Sequence, residues 1–278
     1  MLKIDSHQHF WKYDPIKAPW ITEDMAVLKR DYLPPELGLI LKANGFDGCV
    51  VVQSDQSEQE NDFQRFNAEE YDFVKGIVGW VDLLSSNVEE RLKYYSQFKK
   101  LKGFRHVLQD ELQRDFMLRP DFLNGISLLN KYHFTYDILI NSDQLGFAKE
   151  LVARFPEQRF VIDHIAKPSI KDKSISKWRD EMTAISKYKN VFCKISGMVT
   201  ETRWKLWSTD EFDPYIDVVV EAFGIDRVMF GSDWPVCTLS ASYEEVYGIV
   251  NSYFSRYSDE EQQKVFGRNA IEFYSLSE

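Results

Sequence analysis

Arg159-Phe160-Val161-Ile162-Asp163-His164 is a short apolar, β-rich run that ends on a polar pair, and Lys167-Pro168 then breaks it into a loop. The pattern recurs along the whole chain. Lys3 to His9, Gly48 to Gln53, Val74 to Asp82, Leu101 to Val107, Phe134 to Ile140, Val191 to Gly197 and Arg227 to Asp233 are runs of the same kind. Their starts lie about 25–45 residues apart, which leaves room for a crossover helix between successive strands. Glu89 to Phe98, Gly146 to Phe155, Trp178 to Tyr188 and Tyr215 to Phe223 carry apolar residues at the helical 3–4 spacing. Strands alternating with helices imply a parallel sheet. Eight such units in 278 residues imply an α/β fold closed into a (β/α)8 TIM barrel, one domain over residues 1–278. An open doubly wound sheet is the competing architecture. It declares itself by a glycine-rich first turn, and the chain has no GxGxxG.

Composition narrows the function. Lys and Arg number 34 against 44 Asp and Glu, a net charge of −10. Nucleic-acid and anionic-membrane binders rely on excess cationic charge, so neither partner is expected. No apolar run is long enough to span a bilayer, and the start turns polar too soon for a secretory signal. Cys49, Cys193 and Cys237 are too few and too far apart for a disulfide framework or a zinc module. They read as reduced, buried thiols of a cytoplasmic protein. Nothing in the sequence specifies an oligomer.

Polar residues gather at the C-terminal ends of the runs: His7 and His9, Gln53, Asp82, Arg105 and His106, His164, and Asp233. In a (β/α)8 barrel that rim holds the active site. Residues two apart in a strand share a face, so His7 and His9 enter the mouth together; imidazole pairs suit Zn²⁺, Fe²⁺ and similar ions. Asp163 is expected to face away from His164 and to be structural. Asp233 follows Val228-Met229-Phe230-Gly231-Ser232, where the glycine permits close backbone approach.

These segments together resemble the amidohydrolase superfamily. They are Ile4-Asp5-Ser6-His7-Gln8-His9-Phe10-Trp11, Gly103-Phe104-Arg105-His106, Asp163-His164-Ile165-Ala166-Lys167-Pro168, Lys194-Ile195-Ser196-Gly197 and Phe230-Gly231-Ser232-Asp233-Trp234-Pro235-Val236-Cys237. The likeness runs from the first strand to Phe266-Gly267-Arg268-Asn269-Ala270. It is greatest to the "amidohydrolase 2" branch, which holds sugar lactonases of the L-fucono- and L-rhamnono- type and pyrone-dicarboxylate lactonase. The resemblance implies metal ligands at His7, His9, His164 and Asp233. Thr135-Tyr136-Asp137-Ile138 lacks the fifth-strand histidine of two-metal relatives, and the fourth strand has no bridging Lys or Glu. One divalent ion is therefore expected, zinc first, weakly held or dispensable.

The activity implied is opening of a sugar-acid lactone. Asp233 is then the base for water, and His7, His9 and His164 hold a metal or polarise the carbonyl directly. A polyhydroxy ring needs donors and acceptors, expected from Gln53, Asp82, Arg105, His106, Asp137 and Lys194. Trp11, Trp80 and Trp234 offer flat faces. Arg105 is the strongest candidate for a substrate or product carboxylate. Glu201 and Trp204, after the seventh strand, are either substrate contacts or loop anchors. A pyrone-dicarboxylate lactonase and a metal-dependent decarboxylase of the same superfamily are the alternatives.

Overall fold

Every one of the eight runs forms a strand in the computed structural model, which describes residues 2–277. The strands are β1 (Ile4–Gln8), β2 (Gly48–Val52), β3 (Val74–Gly79), β4 (Leu101–Val107), β5 (Thr135–Leu139), β6 (Phe160–Ile162), β7 (Val191–Ile195) and β8 (Val228–Phe230). Neighbours pair in parallel in chain order. A single bridge between Gln8 and Trp234 closes the ring, flanked by His9 N–H to Trp234 O at 2.7 Å and Asp233 N–H to His7 O at 2.8 Å. The barrel is thus an α/β TIM barrel, as the strand count required.

Helices α1 (Pro34–Ala43), α2 (Glu58–Glu70), α3 (Val88–Tyr95), α4 (Pro120–Leu129), α5 (Leu145–Arg154), α6 (Ser176–Ile185), α7 (Asp213–Phe223) and α8 (Tyr243–Phe254) wrap the sheet. Their starts follow local chemistry. Ser57 accepts from Glu60 N–H at the head of α2, and Ser242 with Glu245 makes a capping box on α8, satisfying amides that have no partner within the helix. Tyr215, Ile216, Val219 and Phe223 bury one stripe of α7 against the barrel.

Strand alternation divides the apolar residues into two cores. Cys49, Val51, Ile77, Phe104, Tyr136, Ile138, Phe160, Ile162, Cys193, Ile195 and Phe230 face the helices. Ile4, Val50, Val52, Val78, Val161 and Met229 fill the barrel's lower interior. After α9 (Asp259–Gln263), α10 (Asn269–Tyr274) plugs the bottom with Ala270, Phe273 and Tyr274. Asn269 Nδ2 holds that plug by donating to Ile225 O and Val228 O, each at 2.7 Å. With the N-terminal end sealed, the C-terminal mouth is where polar side chains can meet solvent.

The three cysteines are buried and unpaired, and burial pushes each thiol up. A buried thiol kept protonated is a poor nucleophile. Ellman's reagent should leave the native protein almost untouched and titrate three thiols after unfolding; fast labelling of the native chain contradicts this packing.

Candidate functional site

The first strand delivers two imidazoles through an irregularity. Asp5 pairs with Cys49, but Gln8 pairs with Val51, so one extra β1 residue is accommodated between them. Such a bulge re-aims the side chains that follow it. His7 and His9 then converge, with their Nε2 atoms 3.2 Å apart. β6 supplies the third imidazole by a different device. His164, Ile165, Ala166 and Lys167 all have positive φ, from 46° to 57°, a costly conformation for non-glycine residues. This left-handed turn swings His164 over the mouth while Asp163, at the strand end, stays in the barrel interior.

Room for these rings is made by glycine. A Cβ on Gly197, itself at φ 61°, would lie 2.5 Å from His164 Nδ1; one on Gly231 would lie 2.6 Å from His7 Cβ. Asp233 sits at φ 58° directly after Gly231-Ser232. Its Oδ1 lies 3.4 Å from His9 Nε2 and 3.8 Å from both His7 Nε2 and His164 Nε2. Ligand atoms of His7, His164 and Asp233 fall within 4.8 Å of one another, and His9 stands beside them.

The far side of each ring is held. His9 Nδ1 is 2.7 Å from Val52 O. A carbonyl can only accept, so His9 carries its proton on Nδ1 and turns a bare Nε2 toward the cluster. His164 Nδ1 faces Ser196 Oγ at 2.9 Å, and His7 Nδ1 lies between Lys194 Nζ at 3.1 Å and Asp163 Oδ1 at 3.2 Å. Rings oriented through one nitrogen with the other aimed at a common point are the arrangement that binds metal. Burial lowers the His7 and His164 pKa values well below the usual imidazole range. Lone pairs crowding a carboxylate oxygen favour a cation among them. The donor set, two imidazoles and one carboxylate with an open position, suits a catalytic zinc ion.

Beneath the rings lies a charged layer that the sequence reading assigned differently. Asp163 was expected to point away; instead its Oδ2 accepts from Arg105 Nη1 at 3.1 Å, and Lys194 Nζ lies 3.0 Å from its Oδ1. Lys194 also pairs with Asp137 at 2.6 Å, and Tyr274 donates to that same Asp137 oxygen at 2.7 Å. Burial pushes Asp163 up, but Lys194, His7 and Arg105 together outweigh it and hold the carboxyl well below the usual range. Burial dominates at Asp137, which is pushed up to about 6. Lys194 and Asp137, expected at the rim for substrate, are wholly buried under His7. Arg105 reaches the cluster, 3.4 Å from His7 Nε2, with its fork spent on Asp163 and on Gln53 O.

Other expected contacts also lie elsewhere. His106 alternates with Arg105 and so faces the helices, stacked on Phe116 and 2.8 Å from Glu111. Asp82 is exposed and accepts from Leu84 N–H in a tight turn. Trp234 is enclosed between Phe10 and Tyr32, and Trp11 donates to Arg30 O. Trp204 anchors its loop by donating to Thr200 O. Gln53 follows the C-terminal end of β2 and is wholly buried, and half-buried Trp80 follows β3; Gln53 Oε1 and Trp80 Nε1, both shielded from solvent, have no hydrogen-bond partner among the described residues. Burial and nearby Asp233 raise the pKa of Glu201, which Lys167 opposes. Sequence reasoning missed Ser196 and Tyr274. Ser196 lay inside a quoted motif, whereas nothing local marked Tyr274.

A (β/α)8 barrel with histidines and one aspartate converging at its mouth is the group set of a metal-assisted enzyme. The amidohydrolase family model matches residues 4–276, and the chain belongs to that family. An L-fucono-1,5-lactonase from Burkholderia multivorans is 37% identical over 288 residues, covering 100% of this chain and 97% of the relative. Another from Burkholderia ambifaria is 30% identical, covering 99% and 96%. A solved B. multivorans amidohydrolase with bound zinc is 37% identical, covers 100% of both chains and superposes with a TM-score of 0.97.

Lys194 distinguishes the buried layer from a substrate-binding rim. Lys194→Met leaves Asp137 and Asp163 without their shared cation, and breaking a buried pair costs about 3–5 kcal/mol. Urea unfolding should show that loss; unchanged stability with a raised KM would return Lys194 to the substrate.

Proposed function

We propose that the protein is a carboxylic-ester hydrolase that opens a sugar-acid lactone, of the L-fucono-, L-rhamnono- or galactono- type, to its aldonic acid. The observation that carries this reading is the convergence of His7, His9 and His164 on Asp233 in a chain similar over its whole length to L-fucono-1,5-lactonases. Arg105, the guanidinium foreseen for a substrate carboxylate, is committed to Asp163 and Gln53. That favours a neutral sugar lactone over a dicarboxylate pyrone. The substrate is a small molecule; neither nucleic acid nor membrane is a partner, and the cytoplasm is the proposed compartment. Among the described residues no helix is long and apolar enough to cross a membrane.

His7, His164 and Asp233 would hold one divalent ion, zinc in preference, with His9 beside it. Bound there, such an ion supplies Lewis-acid polarisation of the lactone carbonyl. Asp233 accepts a proton from water as the water oxygen bonds to the carbonyl carbon. The developing oxyanion forms near the Arg105 guanidinium, a fixed positive group in a water-poor site. Collapse breaks the ring C–O bond, and Asp233 returns its proton to the departing alkoxide. One water is consumed, and the product is the open hydroxy acid.

A pH-indicator screen of sugar-acid 1,4- and 1,5-lactones, with and without chelator, tests the reaction. Acid release from at least one lactone is expected; carbon dioxide release from aromatic acids, with no lactone opened, would make the protein a decarboxylase instead. Activity surviving exhaustive chelation would assign carbonyl polarisation to the imidazoles and Arg105.

Asp233→Asn keeps the shape and removes the basicity. General-base catalysis contributes roughly 10²- to 10⁴-fold, and kcat should fall by at least that lower bound in a folded variant. Retention of more than about a tenth of wild-type kcat would exclude Asp233 as the base.

A further inference from the structure

β1 and β8 lead into the histidine pair and the aspartate, yet the seam between them has a single bridge, Gln8–Trp234, with the His9 N–H to Trp234 O and Asp233 N–H to His7 O bonds beside it. The other seven strand pairs share two or more paired positions. The β1 bulge is a register shift against β2 between Asp5 and Gln8, in the same stretch of β1 that borders the seam on its other edge. A bulge leaves backbone amides unpaired, and buried amides must find another acceptor. Here the acceptor is a side chain. Asp5 Oδ1 accepts from His7 N–H at 3.1 Å and from Ser232 N–H at 2.9 Å. One donor belongs to a cluster histidine, the other to the residue preceding Asp233. Asp5 is fully buried, faces Cys49 and the helices rather than the mouth, and touches no reacting atom.

We infer that Asp5 is a positioning residue: one carboxylate oxygen, bonded to both strands at once, acts with the Asp233 N–H to His7 O bond to set the spacing of His7 and Asp233 across the seam, and thereby the zinc affinity and turnover of the site. This rests on the functional reading above. What the seam requires is an acceptor at that point, not a charge. Asn at this position keeps Oδ1. Its amide would occupy the place of Oδ2, which has no hydrogen-bond partner among the described residues and lies beside the similarly unpartnered Tyr243 hydroxyl. That hydroxyl can accept from the amide.

The test uses the full chain with Asp5→Asn, Asp5→Ala and Asp5→Glu. Zinc affinity is measured by competition with a chromophoric chelator, kcat and KM on the best lactone, and stability by urea unfolding. Oriented outer groups are worth about 10- to 100-fold in metal affinity. Asp5→Ala should weaken zinc binding and lower kcat by at least about tenfold, with KM little changed. Asp5→Asn should stay close to wild type in both, and Asp5→Glu, which moves the acceptor by one methylene, should fall between. Asp5→Ala that loses stability but keeps wild-type zinc affinity and kcat reduces Asp5 to a core residue and overturns the inference. So does Asp5→Asn as impaired as Asp5→Ala. If Asp5→Ala does not fold, wild-type behaviour of Asp5→Glu overturns it, and impairment of Glu alone beside a competent Asn supports it. A wild-type protein that binds zinc and opens no lactone defeats the functional reading, while the zinc series still decides Asp5. One that opens lactones without binding zinc leaves the decision to kcat against KM.

Discussion

Asp163 accepts from Arg105, lies against Lys194 and faces His7, all of them in the barrel interior. Removing ions from water costs several kcal/mol each, and attraction offsets that cost only with good geometry and added hydrogen bonds. This layer meets the condition by sharing. Two carboxylates face two cations, Tyr274 donates to Asp137, and Gln53 O receives the second Arg105 nitrogen. Without Asp163, Arg105 and Lys194 would repel each other and His7 would lose the carboxylate beside its Nδ1. Without Lys194, two acids would share the space. The imidazoles at the mouth stand on this floor, so their orientation depends on it.

Above the floor, backbone geometry aims the groups. The β1 bulge turns His7 and His9 inward, the left-handed turn at His164 lifts a ring over the strand end, and Gly197 and Gly231 leave space for the rings. Strained conformations of this kind persist only where the surroundings over-determine them. The surroundings here are Ser196 at the His164 ring, the Val52 carbonyl at His9, and Trp178, whose indole donates to Ile165 O inside the turn. A hydrolytic site needs fixed donors more than mobile ones, because reorganisation during reaction adds to the barrier.

Strand number, order and most boundaries were legible because each strand announces itself locally, by a few β-rich residues whose alternation has period two. His7, His9, His164 and Asp233 were legible for a related reason: a strand's end is a position along the chain, and in a barrel all strand ends face one mouth. Which way a side chain points at that end was not legible. Alternation predicted opposite faces for Asp163 and His164, and the turn at positive φ changed the outcome. Lys194 and Asp137 looked like rim residues from their strands, and only barrel closure put them one layer lower, against a tyrosine from the last helix. Asp5 and Ser232 are 227 positions apart and meet only across the seam. The sequence by itself determined the barrel and the four groups at its mouth, through short-range periodicity. The tertiary structure decided which charges pair, which rings are held and which polar residues are left for substrate, because burial and pairing depend on contacts between strands distant in the chain.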